Sequence, residues 1–165
     1  MSARFGPAGN SNSFYDAGYK STLQAPEWLH NMGLTAYESQ CGRGGRASAD
    51  SAKALGEAAA KYDIAISLHA PYFISLASAE EEKRDNSIRY ILESARAVTQ
   101  MGGTRIVVHP GGLGGLSRPE ATALASHTLR RAQEALGLRG DYFSICASEL
   151  QLSGFPRGRG VSPRS

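Results

Sequence analysis

No stretch of this 165-residue chain approaches the roughly 20 consecutive apolar residues that a membrane-crossing helix needs. The opening residues, Met1-Ser2-Ala3-Arg4-Phe5-Gly6, lack the apolar core of a signal peptide. Cysteine is scarce. Cys41 and Cys146 stand far apart and outside any Cys-x-x-Cys pattern, which favours buried thiols over a disulfide or a zinc knuckle. A reducing, cytoplasmic setting is the expectation. No Gly-x-Gly-x-x-Gly follows a strand, and no P-loop is present, so neither a dinucleotide site nor a nucleotide-phosphate cradle is indicated. A general excess of positive charge is missing too. The net charge is +3, but the segment from Leu150 to Ser165 holds Arg157, Arg159 and Arg164 and no acid. Without those three, the 18 basic residues fall to the number that balances the 15 acidic ones. The basicity belongs to the tail, so nucleic-acid binding has to be argued from local loops.

What is present is an alternation of short apolar runs with longer amphipathic ones. Arg4 to Ala8 reads as a brief strand that enters a polar, glycine-containing loop through Tyr19. Ser21 can cap a helix from about Thr22 to Met32, with Gly33 as its stop. Leu34 to Ser39 reads as a strand, Ser48 caps a helix over Ala49 to Tyr62, and Ile64 to His69 reads as the next strand. A long helix from about Ala79 to Met101 carries Ile88, Ile91, Leu92, Ala95 and Val98 at helical spacing. In Thr104 to His109, the residues Ile106, Val107 and Val108 run without alternation, the pattern of a parallel strand buried on both faces. Ser117 caps a helix to about Leu138, and Tyr142 to Cys146 begins a further strand. Repeated strand–helix units imply a parallel sheet, open or closed. With no dinucleotide fingerprint, the barrel is preferred: α/β, a partial (β/α)8 TIM barrel of about the first four to five units.

His69 and His109 each end a strand and lead into a loop with proline or glycine. In a β/α barrel the C-terminal strand ends build the active site, so two such histidines point into one cavity. Neutral imidazole is a common zinc ligand, and carboxylates from later strands can complete the set. Each could equally be a histidine satisfied by its neighbours at the barrel rim. Glu80, Glu81 and Glu82 read as a solvated helix start, where carboxylates complement the dipole. His30 and His127 read as surface or packing residues within helices, and Asn10, Asn12 and Tyr15 line the first loop without an assigned role.

Four segments occur in order: Phe5-Gly6-Pro7-Ala8-Gly9-Asn10, Glu38-Ser39-Gln40-Cys41-Gly42-Arg43-Gly44, Leu68-His69-Ala70-Pro71-Tyr72-Phe73-Ile74 and Val107-Val108-His109-Pro110-Gly111-Gly112. From Arg4 to Leu136 the chain resembles endonuclease IV, the zinc-dependent apurinic/apyrimidinic endonuclease family of xylose isomerase-like barrels. The resemblance implies a barrel holding up to three zinc ions, with the histidines after the third and fourth strands as ligands, here His69 and His109. It implies DNA contacts from Tyr72, in the loop that enters the minor groove, and from Arg43, near the loop whose arginine inserts into the base stack. Tyr72 could instead pack beneath its loop, and Arg43 and Arg46 could be solvated surface charge. The implied activity is phosphodiester hydrolysis 5′ to an abasic site in double-stranded DNA. The alternative is a xylose isomerase-like sugar isomerase or epimerase with one or two divalent metals.

A β/α barrel usually needs about 250 residues. Where the resemblance implies a Cys-Pro-Glu-Thr segment with a metal-bridging glutamate, this chain has Ile145-Cys146-Ala147-Ser148-Glu149, and Glu149 does not match in register. Composition changes there. Gly154-Phe155-Pro156-Arg157-Gly158-Arg159-Gly160 and Ser162-Pro163-Arg164-Ser165 have no periodicity and read as disordered. The expectation is a truncated barrel domain over 1–149 and a basic tail over 150–165, with a frameshifted or truncated product as the simplest origin and an inactive fragment as one consequence. The competing readings are a deliberate half-barrel with a basic tail, and a non-catalytic chain whose tail binds nucleic acid weakly or which is simply degraded.

Overall fold

The structure is a computed structural model that describes residues 3–40 and 48–137 and the backbone of 144–147. Four strands, β1 (Ala36–Gln40), β2 (Ala65–His69), β3 (Arg105–Val108) and β4 (Ser144–Ala147), lie in chain order in one sheet. All three pairings are parallel. The helices α3 (Ala49–Lys61), α4 (Glu81–Gln100) and α5 (Arg118–Ala135) make the crossovers that parallel pairing requires. Before them come α1 (Asn12–Asp16), a 3-10 turn at Thr22–Gln24 and α2 (Ala25–Asn31).

The caps read from the sequence are in place. The Ser48 hydroxyl accepts from the Ser51 amide at 3.1 Å, and Ser117 forms a reciprocal capping box with Glu120. Those hydrogen bonds from Ser117 hold the Glu120 carboxyl below its ordinary pKa. The sheet divides by face, as the two-residue period of a strand dictates. Ile66, Leu68, Ile106 and Val108 are buried in one core with Leu55 and Ala59 of α3, Ile91 and Val98 of α4, and Ala121 and Ala125 of α5. Ala65 and Arg105 on the other face are exposed, and Ser67, His69 and Val107 are half-buried.

Four expectations change. Arg4 to Ala8 is not a ladder strand. It runs beside β1 with one bridge, Ala8 to Glu38, while the Phe5 carbonyl accepts from both Thr35 and Ala36. Pro7 has no N–H to donate, and a Cβ on Gly6 would collide with the Ala36 carbonyl, so the segment approaches closely but pairs irregularly. The expected helix from Thr22 to Met32 is divided at Gln24, with Pro26 in the first turn of α2. The five-residue α1 interrupts the first loop; it buries Phe14 against Tyr19 and against Trp28, the latter too distant in sequence to show as periodicity. Finally, β3 is buried on one face only, since Val107 is half-buried and Arg105 exposed among the described residues.

Candidate metal centre

The two histidines meet at the C-terminal end of the sheet. His69 is the last residue of β2, and His109 comes one residue after β3. Pairing of His69 with Val107 places His109 two residues further on, on the same face, and the ring centroids lie 4.7 Å apart at a 44° tilt. A third side chain joins them from β1. Glu38 Oε1 lies 2.8 Å from His69 Nδ1, with the two side chains 22 % and 25 % exposed. Glu38 pairs with Ser67, so its carboxylate reaches diagonally across a small neighbour to the ring two residues on.

The loops that carry the histidines are stitched together. The Ala70 amide donates to the Val107 carbonyl at 2.8 Å, and the Leu76 amide donates to that of Pro110 at 2.9 Å. The buried Thr128 hydroxyl of α5 donates to the Leu76 carbonyl at 2.9 Å. Gly111 has φ +89° and packs against the Ser75 backbone, where a side chain would meet both strain and crowding. The fold holds the site from outside it.

Tyr72 lies on the loop after His69 and is 67 % exposed, so it does not pack beneath its loop. Phe73 beside it is also exposed, although its ring meets Tyr90 of α4 edge-on at 4.7 Å, and it is Ile74 that this loop buries in the core. Arg43, Arg46, Cys41, Glu149 and the tail fall outside the described residues. Of Cys146 only the backbone is described. Asn10 and Tyr15 turn out to belong to a separate network. Asn10 accepts from the buried Tyr37 hydroxyl at 2.9 Å and donates to Thr22 at 3.1 Å. Burial, with a smaller effect of Tyr15, pushes the Tyr37 hydroxyl up to about 12. His30 packs on Tyr62 and His127 is exposed on α5, both away from the site. A cavity of about 620 Å³ lined by Arg4, Ala65, Ser67 and Arg105 opens at the opposite end of the strands.

Glu38 was not singled out from the sequence. Its signals were a place at the head of the second of the four ordered segments and an acid within a strand otherwise free of charge, on the same alternating face that leads to Gln40. As a donor set, two imidazoles, one backed by a carboxylate, suit zinc in kind. They do not suffice in number: among the described residues no three His, Cys, Asp or Glu side chains converge to hold an ion.

Residues 26–143 match the family model described as xylose isomerase-like TIM barrel. The chain belongs to that family. An uncharacterised protein of Methanocaldococcus jannaschii is 37 % identical over 107 residues, 65 % of this chain and 36 % of that protein. Two proteins named probable endonuclease 4 also match. That of Acholeplasma laidlawii is 34 % identical over 39 % of this chain and 22 % of its own length. That of Mycoplasmoides gallisepticum is 28 % identical over 50 % and 26 %. Among solved structures, endonuclease IV from Thermus thermophilus superposes with TM-score 0.53 at 24 % identity, covering 76 % of this chain and 46 % of that one. The 3-keto-D-glucoside 4-epimerase of E. coli gives 0.59 at 16 % identity, covering 78 % and 51 %. These superpositions show the fold. This xylose isomerase-like chain is thus a run of parallel β/α units. It spans about a third or less of its curated relatives and about half of the solved barrels. No helix among the described residues is long and apolar enough to cross a membrane.

Proposed function

We propose that this chain carries the N-terminal share of a zinc-dependent endonuclease centre that acts at abasic sites in double-stranded DNA. The observation that carries the reading is the meeting of His69 and His109 at the C-terminal strand ends, 4.7 Å between ring centroids. The sequence matches to proteins named probable endonuclease 4 support the DNA branch of the family over its sugar-converting branch. So does the exposure of Tyr72 beside the site, since a closed sugar pocket has no use for a projecting aromatic. An aromatic face in that position can stack on a nucleotide or wedge beside one extruded from the duplex.

His69 and His109 would hold the metal, with Glu38 holding His69. Bound zinc supplies Lewis-acid stabilisation of an in-line phosphodiester displacement and lowers the pKa of an attacking water. Tyr72 and Arg43 would contact DNA, the tyrosine at the groove and the arginine from the loop after β1. Selectivity follows from the substrate: an abasic nucleotide has no pairing to lose on extrusion, so it leaves the stack at low cost. A catalytic zinc usually takes about three protein donors. With two imidazoles among the described residues, the chain is expected to bind metal but to need further donors for turnover. The segment 1–149 is the barrel portion in this reading, and 150–165 an appended basic tail.

The test uses the full chain. Zinc titration by calorimetry is expected to show binding that His69→Ala and His109→Ala each reduce roughly tenfold or more, since even the partner of a ligand is typically worth about 10- to 100-fold. Tyr72→Ala is expected to leave zinc binding unchanged while removing the preference for an abasic duplex over an intact one. Turnover of a ketose with no preference for abasic DNA would overturn the reading in favour of an isomerase or epimerase. Chelator-sensitive cleavage of the abasic duplex by this chain alone would overturn the expectation that it needs further donors for turnover.

A further inference from the structure

We infer that Glu38 is a positioning residue for His69, one that fixes which ring nitrogen is free to take a metal. The inference deepens the zinc-site reading and rests on it for the identity of the ligand, but its structural basis is independent. Ionised, Glu38 can only accept a hydrogen bond. The 2.8 Å contact to His69 Nδ1 therefore requires the proton on that nitrogen. A neutral imidazole has one protonated nitrogen, so Nε2 keeps the lone pair. The carboxylate thereby selects one of two tautomers and fixes the ring about its χ angles, so that less order has to be imposed when an ion arrives.

Glu38 is itself held by its backbone. Its amide donates to the Pro7 carbonyl at 3.0 Å, and its carbonyl accepts from the Gly9 amide at 2.9 Å. On its other side β1 pairs with β2 in the register Glu38 to Ser67. Clamped on both edges, the backbone of Glu38 cannot drift without moving two neighbouring segments. The irregular Gly6–Pro7–Ala8 approach, which fails as a strand, thus has a use: it seats the residue that seats the histidine. The close approach is possible only because residue 6 is glycine.

Two variants separate positioning from direct ligation. Glu38→Gln keeps a carbonyl oxygen that can accept from Nδ1–H but is a poor metal ligand; Glu38→Ala keeps neither. Nitrogen-15 NMR of the histidine rings in the metal-free full chain is expected to show His69 as the Nδ1–H tautomer in wild type and in Glu38→Gln. In Glu38→Ala the ring is expected to become a tautomer mixture, with the amide spectrum otherwise unchanged. Zinc affinity is expected to fall about 10- to 100-fold in Glu38→Ala, the usual effect of losing such a partner, and to stay near wild type in Glu38→Gln. An Nε2–H ring in wild type, or an unaltered tautomer in Glu38→Ala, would overturn the inference. Equal loss of zinc in both variants would also overturn it and make Glu38 a ligand. If wild type binds no zinc, the metal-site reading fails by itself, and the tautomer measurement still decides what Glu38 does.

Discussion

At the scale of single residues, the chain shows how far a side chain's chemistry depends on what is brought next to it. Tyr37 and Glu38 are neighbours on one strand and face opposite ways. The Tyr37 hydroxyl is raised to about 12 by burial, above its ordinary 10.0. The stabilisation from keeping this phenol neutral is complete below pH 10 and is lost as the pH rises through about 12. Ultraviolet titration is expected to show one of the seven tyrosines ionising late and together with unfolding. Tyr37→Phe removes that late step and costs about 1 kcal/mol, because the Asn10 carbonyl loses its donor. Neither the Tyr37 network nor the Glu38–His69 contact was legible in the sequence. His69 and His109 were, because a strand followed by His-Ala-Pro or His-Pro-Gly marks a strand end whatever else is present. Glu38 and Asn10 have no such local mark; their partners are 31 and 27 residues away.

Among the elements, the helices and central strands followed from the sequence because their determinants are local. Ser48 and Ser117 cap where an N-cap serine precedes an apolar period, and β2 ends at His69 as read. The first segment and the loop after it did not follow, since their shape is set by what they touch: the Ala36 carbonyl for Gly6, and Trp28 for Phe14. Loop-to-loop stitching belongs to the same class. Gly111→Ala places a Cβ 3.0 Å from the Ser75 Cα at φ +89°. It is expected to cost about 1–2 kcal/mol in thermal or denaturant unfolding. Because the change displaces the turn that follows His109, zinc affinity should fall as well, while Gly115→Ala, which has φ +85° but nothing within 4 Å, should cost similar strain and leave the affinity alone. Comparing the two variants in one titration separates strain from displacement of the ligand.

For the whole molecule, the division of the sheet into two faces has a consequence for how this chain can change. The helix-facing side chains hold the fold: Leu68→Ala is expected to cost about 2–5 kcal/mol, since Leu68 is 1 % exposed in a packed core. The other face carries Glu38, Ser67, His69 and Val107, and there Ser67→Ala should cost within about 0.5 kcal/mol. Equilibrium unfolding of the two variants checks the contrast. Core packing and the proposed site thereby fall on alternate positions of the same strands, an odd-and-even partition written into the sequence at a period of two. Substitutions at the even positions 66, 68, 106 and 108 are filtered by stability, whatever the reaction. Those at 67, 69, 107 and 109, half-buried on the other face, are under weaker packing constraint, and in the proposed reading are filtered by ligand as well. On the reading proposed for its site, such a chain could change its chemistry at every second residue near its strand ends and leave intact the core that holds it.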